Sequence, residues 1–132
     1  MKQLLRVACG VISQDGKFLI VQRGHTSRHA LKWEFPGGKI EPGETEEDGI
    51  VRELKEELNI ETRVLQRMQT VVREETDYII ELIPFRCSIV SGEITLIEHL
   101  KMVWVDLQKP FKYILCDGDF AILDQLRQYN KS

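Results

Sequence analysis

The chain has 132 residues, of which 42% are hydrophobic and 30% charged, and its formal net charge is −3. That length and balance suit one domain, residues 1–132, with a real apolar core. They argue against a nucleic-acid surface built on bulk positive charge, and no apolar run approaches the roughly 18 residues of a membrane span.

The N-terminal MKQLLRVACGVI is too short in its apolar part for a secretion signal, and Gln3 and Arg6 interrupt it. Cys9, Cys87 and Cys116 are widely spaced, with neither a CxxC pair nor a zinc spacing. They read as free thiols in a reducing compartment, and the chain as a cytoplasmic protein without a membrane partner.

Leu4 to Ser13 is rich in β-branched and apolar residues and reads as a strand. Asp15-Gly16 follows, a hairpin signal because both turn positions favour positive φ. Phe18 to Gln22 is the partner strand, closed by Arg23. Gly24 to Lys32, with His25, Ser27, Arg28 and His29, has the composition of a substrate-facing loop. His25 and His29 stand four apart, but Gly24, Thr26 and Ser27 argue against the helix that a metal pair there needs.

Trp33-Glu34-Phe35 is extended at its end, since Phe35 precedes Pro36. A glycine-rich loop, Gly37-Gly38-Lys39-Ile40-Glu41-Pro42-Gly43-Glu44, then feeds a helix. Thr45-Glu46-Glu47-Asp48 has the form of a capping box, and its acids suit the positive end of the helix dipole. Ile50, Val51, Leu54 and Leu58 make one apolar sector, and Asn59 is suited to end the helix in the left-handed conformation.

Thr62 to Val72 and Tyr78 to Val90 are two further strands, joined through Arg73 to Asp77. Ser91-Gly92 turns the chain, Ile94 to Ile97 is short and apolar, and Met102 to Val105 is a last strand. Phe120 to Tyr129 carries a helical pattern, with Asp117 or Asp119 as a cap. Hairpins dominate, so the expected fold is α+β, or an α/β sandwich with a mixed sheet, and not a doubly wound parallel fold.

The chemistry concentrates on the first helix. Glu53, Glu56 and Glu57 stand at i, i+3 and i+4, on one face beside the apolar sector. A solvated acidic face is one reading, since such pairs cost a helix only a few tenths of a kcal/mol. In a water-poor cleft the repulsion rises to about 4 kcal/mol per close pair. A cluster there calls for a cation, and all-oxygen ligands suit Mg²⁺, with Mn²⁺ the alternative. Arg52 is placed to orient a carboxylate in a bidentate contact.

Gly38, five residues, Glu44, seven residues, then Arg52-Glu53-Leu54-Lys55-Glu56-Glu57-Leu58-Asn59-Ile60 resembles the Nudix box, here residues 38–60. One specified position departs: the family has glycine where this chain has Asn59, a residue that tolerates the same left-handed backbone. The resemblance implies the Nudix fold, an α/β/α sandwich with the box helix on one side and the C-terminal helix on the other. It implies a hydrolase of nucleoside diphosphates linked to another group. Glu53, Glu56 and Glu57 match the metal-binding glutamates, with the Gly38 carbonyl beside them. Glu44 matches a supporting acid, and Arg52 the orienting arginine.

The lead-in Trp33-Glu34-Phe35-Pro36-Gly37-Gly38-Lys39 looks like the MutT branch. Its members cut nucleoside triphosphates, some of them oxidised, to monophosphate and pyrophosphate by attack on the β-phosphorus. On that resemblance Arg23 matches a phosphate-binding arginine, and Phe35 a residue lining the base pocket. Lys39 falls with the substrate contacts. Glu98, in Ile97-Glu98-His99, matches a loop acid near the metal, so that Glu53 and Glu98 are both open as general base. Asp119 stands where relatives carry Asn or Asp to read the base edge; the Asp form is similar to that of relatives acting on cytosine nucleotides. Arg23, Phe35, Glu98 and Asp119 each also have a plain reading: surface arginine, core phenylalanine, solvated acid and helix cap. The alternatives in function are a hydrolase of dinucleoside polyphosphates, ADP-ribose or nucleotide sugars, and a nucleotide-binding domain without turnover. The expected partner is a small nucleotide rather than a nucleic acid, and the sequence leaves monomer or homodimer open.

Overall fold

Alternation along the first strand sets the architecture. Ala8 and Ile12 enter one core and Cys9 and Val11 another, and all four are buried. Residues two apart share a sheet face, so this strand is covered on both sides. The computed structural model describes residues 1–27 and 29–131, without the side chains of 129–131. Arg28 of the polar loop and the Tyr129 side chain of the last helical pattern therefore lie outside the described residues.

Strand β1 (Gln3–Gln14) turns through Asp15 and Gly16, at φ 54° and 77°, into β2 (Lys17–Gln22), as the Asp-Gly pair predicts. β2 also pairs, antiparallel, with β3 (Trp33–Glu34) and with β8 (Lys101–Val105). On its other side β1 runs parallel to β7 (Tyr78–Ser91), in register from Gln3 opposite Tyr78 to Ile12 opposite Cys87. β5 (Glu61–Arg67) and β6 (Val71–Glu74) both pair antiparallel with β7. The sheet is mixed, as expected.

Helix α1 (Glu46–Leu58) places Ile50, Leu54 and Leu58 on one core with Leu19, Val21, Ile83 and Phe85. Helix α2 (Asp119–Lys131) places Ile122, Leu123 and Leu126 on the other with Phe18, Ile20, Phe35 and Met68. The sheet thus lies between two helices, and each fully buried leucine or isoleucine contributes about 1.5–3 kcal/mol. The cysteines are free thiols, with Cys9 and Cys87 buried and Cys116 half-buried. Among the described residues no helix is long and apolar enough to cross a membrane.

Two elements differ from expectation. The strand read over Thr62 to Val72 is two strands, β5 and β6. Pro84 in β7 has no N–H to give to a ladder, and the break falls opposite it, with Met68 N–H donating to the Pro84 carbonyl at 2.8 Å. Met68 sinks into the α2 core, and the Gln125 side chain binds both the N–H and the carbonyl of Gln69. The glycine segment read as loop contains a short strand, β4 (Gly37–Lys39), paired with Val7 to Cys9 of β1. The two backbones approach so closely that a Cβ on Gly37 would lie 1.9 Å from the Ala8 carbonyl oxygen.

Gly37→Ala is therefore expected to lower unfolding stability in urea by roughly 2–4 kcal/mol. Gly43→Ala, at φ 83° with open space around its Cβ, should cost only about 1 kcal/mol. Equal losses would mean that the β1–β4 approach is not what demands the glycine.

Candidate active site

Helix α1 is fixed at both ends by its own residues. Thr45 Oγ1 accepts the Asp48 N–H at 3.0 Å, which satisfies one of the free donors at the N-terminus. Asn59, at φ 58°, ends the helix in the left-handed conformation and donates to the Lys55 carbonyl at 3.0 Å. Burial of Ile50, Leu54 and Leu58 sets the rotation of the helix. With that rotation fixed, the acidic face turns to a cleft beside the core. The Glu53 side chain is 14% exposed and that of Glu56 58%.

Arg52 is the hub of this face. Its Nε and Nη2 donate to the two oxygens of Glu44, both at 2.8 Å, in a bidentate pair. Nη1 donates to Glu53 at 3.0 Å and Glu56 at 3.2 Å, and Nη2 also reaches the Lys39 carbonyl at 3.0 Å. The Arg52 contact, with a further bond from the Glu41 N–H, holds the Glu44 carboxyl down at about 2. The guanidinium is raised further above its usual range, chiefly by Glu44.

Glu57 lies deeper. Its Oε2 accepts the Gly37 N–H at 3.3 Å. Burial, and then the charges of Glu34 and Glu53, push its carboxyl up to about 8. Burial also raises Glu53, against the pull of Arg52. Gly38 faces Glu53 so closely that a Cβ would fall 2.4 Å from its carboxylate. Carboxylates crowded in this way, with a glycine backbone against them and only oxygen donors, fit a hard divalent cation. Among the described residues no three acid, histidine or cysteine side chains already converge as a cage; Arg52 instead engages Glu53 and Glu56.

The acidic face opens on a pocket of about 280 Å³. Arg23, Phe35, Gly38, Lys39, Glu57, Glu98 and Asp119 line it, so most of the sequence-selected residues meet in one place. Glu44, Arg52, Glu53 and Glu56 stand behind or beside its wall rather than in it. Phe35 is 3% exposed, and its ring packs on Phe18 at 5.6 Å, so it is a core residue at the pocket's edge. A second pocket of about 310 Å³ shares Arg23, Glu34 and Asp119 with the first and extends past Arg73 and Tyr78.

Glu34 is the residue that sequence reasoning passed over. Its carboxylate takes Arg23 Nη1 at 2.8 Å and lies 2.9 Å from His99 Nε2. Burial pushes Glu34 up, but the bonds to His99 and Arg23 outweigh it and hold the carboxyl below its usual range. The signal was strand alternation, which turns Glu34 to the face opposite Phe35.

Asp119, read from the sequence as a helix cap or a reader of the base edge, is the first residue of α2. It is 6% exposed, and its Oδ2 accepts the Phe35 N–H at 2.8 Å. Burial raises its carboxyl to about 7. A folded-state value above the unfolded one means that the native state binds the extra proton between about pH 4 and 7, so stability falls as pH rises through that window. Asp119→Asn keeps an acceptor for Phe35 and removes this titration. Urea unfolding should show the wild type losing on the order of 2–4 kcal/mol between pH 4 and 8 from this group, and the variant lacking that loss. Parallel pH profiles for the two proteins would contradict the burial argument.

Comparison with known proteins agrees with the geometry. Residues 2–122 match the NUDIX domain family. The chain is 35% identical over 122 residues to the CTP pyrophosphohydrolase of Escherichia coli (strain K12), covering 92% of this chain and 90% of that protein. It is 37% identical over 95 residues to the 8-oxo-dGTP diphosphatase of Proteus vulgaris, covering 71% and 85%. The crystal structure of a MutT protein from Methanosarcina mazei Go1 superposes with a TM-score of 0.86 at 29% identity, covering 99% of this chain and 98% of that one. With a family match over nearly its whole length and a relative 35% identical across 92% of it, the chain belongs to the NUDIX domain family.

Proposed function

We propose that the protein hydrolyses nucleoside or deoxynucleoside triphosphates to monophosphate and pyrophosphate, with cytosine and oxidised nucleotides as the substrates to try first. The observation that carries this reading is the single pocket in which Gly38, Lys39, Glu57, Glu98, Arg23 and Asp119 meet. Its acidic end suits a cation-bridged phosphate chain and its Asp119 end a base. Similarity to a CTP pyrophosphohydrolase and to an 8-oxo-dGTP diphosphatase supports the choice of substrates.

Glu53, Glu56 and Glu57, with the Gly38 carbonyl, would hold the divalent cation, Mg²⁺ by preference over Mn²⁺. When bound, such an ion lowers the pKa of water and offsets charge on phosphoryl oxygens. Arg52 holds Glu53 and Glu56 in place, and Glu44 holds Arg52. Arg23 and Lys39 bind phosphate oxygens. A carboxylate, Glu53 or Glu98, takes a proton from the attacking water. The new bond forms at the β-phosphorus, the bond to the α–β bridging oxygen breaks, and the monophosphate leaves. Asp119 has one oxygen on the Phe35 N–H. Its other oxygen accepts from an exocyclic amino group, or donates to a ring nitrogen when protonated. That pair of roles complements the amino and ring-nitrogen edge of cytosine.

The test is a panel of normal, oxidised and methylated triphosphates with Mg²⁺ or Mn²⁺, scored by pyrophosphate release. Glu56→Gln and Glu57→Gln should each lose turnover by orders of magnitude while the melting temperature holds; normal turnover in either removes the metal assignment. Chelation of divalent ions should abolish turnover and added Mg²⁺ restore it. Asp119→Asn should reorder the panel, and an unchanged order would take the base-reading role from Asp119.

A further inference from the structure

The pocket has a wall made by no helix or strand. Residues 92–100 have no regular structure, yet three backbone bonds pin them. Thr95 N–H donates to the Leu58 carbonyl at 2.9 Å, Ile97 N–H to the Glu57 carbonyl at 3.2 Å, and Leu100 N–H to the Gln22 carbonyl at 3.0 Å. The first two tie the segment to the end of α1, the third to β2. Glu98 lies between these anchors, exposed, on the pocket wall.

His99 adds a fourth tie, and it is the only one of these made through a side chain. Its side chain is 6% exposed. Nε2 lies 2.9 Å from Glu34 Oε2, while Glu34 Oε1 takes Arg23. An ionised carboxylate only accepts, so the shared hydrogen belongs to Nε2. Nδ1 has no partner among the described residues, so the bond to Glu34 is what orients the ring. A part-buried bond to a charged acceptor is of the stronger kind.

We infer that His99 is a positioning residue: through Glu34 it fixes the Glu98 segment to Arg23, so that the carboxylate and the guanidinium face each other across the pocket at a set distance. Arg23, Glu34 and His99 come from three separate parts of the chain, and the Glu34 carboxylate is the piece that joins them. The kinetic consequence rests on the proposed hydrolysis; the clamp itself does not.

The experiment compares His99→Phe, which keeps a ring but cannot donate, with His99→Gln, whose amide nitrogen can. Each is assayed for pyrophosphate release on the triphosphate that the wild type turns over fastest, alone and with Glu98→Gln. His99→Phe should lower kcat by about tenfold to a hundredfold, as a displaced reacting group does, with KM changing less. His99→Gln should recover most of the loss. In the Glu98→Gln background, His99→Phe should cost less than about twofold more, because coupled residues are non-additive. An unchanged kcat in His99→Phe, or the same fold loss in both backgrounds, overturns the inference. Amide hydrogen exchange supplies a readout that needs no activity. Ile97 and Leu100 should exchange faster in His99→Phe than in the wild type, and unchanged rates there overturn the clamp. A wild type that releases no pyrophosphate from any triphosphate defeats the functional reading, while the exchange rates still decide the clamp.

Discussion

One guanidinium keeps the acidic face together. Arg52 touches Glu44 twice, Glu53 and Glu56 once each, and the carbonyl of Lys39. Without a positive charge at that point, carboxylates spaced for one helix face would repel into solvent. The planar fork does more than neutralise, because its donors aim in fixed directions and so set the carboxylate orientations. The contact to Lys39 also binds α1 to β4, so the acids and the glycine backbone opposite them keep one relative position. A lysine at the same place would supply the charge without that geometry.

The site is assembled from pieces that the two cores hold rigid. One core fixes the rotation of α1, and the other fixes Phe35 and the start of α2. Asp119 bonds to the Phe35 backbone and so links the end of the pocket nearest α2 to the segment that carries Glu34. Burial raises carboxylates at both ends of the pocket, Asp119 beside α2 among them, and Glu34 is the exception. At the α1 end, acids crowd one another and are raised by burial and like charge. Glu34, half-buried, is held below the usual carboxylate range by its bonds to His99 and Arg23.

The parts legible in the sequence are those in which cause and effect lie within a few residues. Thr45 and Asn59 bound a helix because capping is local. Asp15-Gly16 is a hairpin because two adjacent φ angles decide it. The acidic face follows from helix periodicity alone. What stayed hidden depends on long-range pairing. Glu34 meets His99 across 65 residues and Phe35 meets Asp119 across 84, and no periodicity in a single chain announces either. The division of β5 from β6 was hidden for a related reason. Pro84 sits in the partner strand, so nothing within Thr62 to Val72 marks the break. The β4 strand was missed because glycine signals freedom, whereas here it serves close approach.

The parallel pairing of β1 with β7 has a consequence for the order in which the chain can fold. Each residue of β1 from Gln3 to Ile12 waits for a partner 75 residues later, as Arg6 does for Glu81. On a ribosome, the first hairpin and α1 emerge well before β7 does. Until then one edge of β1 has no ladder, and the core face that α1 must cover lacks Ile83 and Phe85. Exposed strand edges of this kind are where nascent chains pair wrongly. Helix α1 is therefore made early but seated late, and completion of the fold is gated by a strand that carries none of the acidic-face residues.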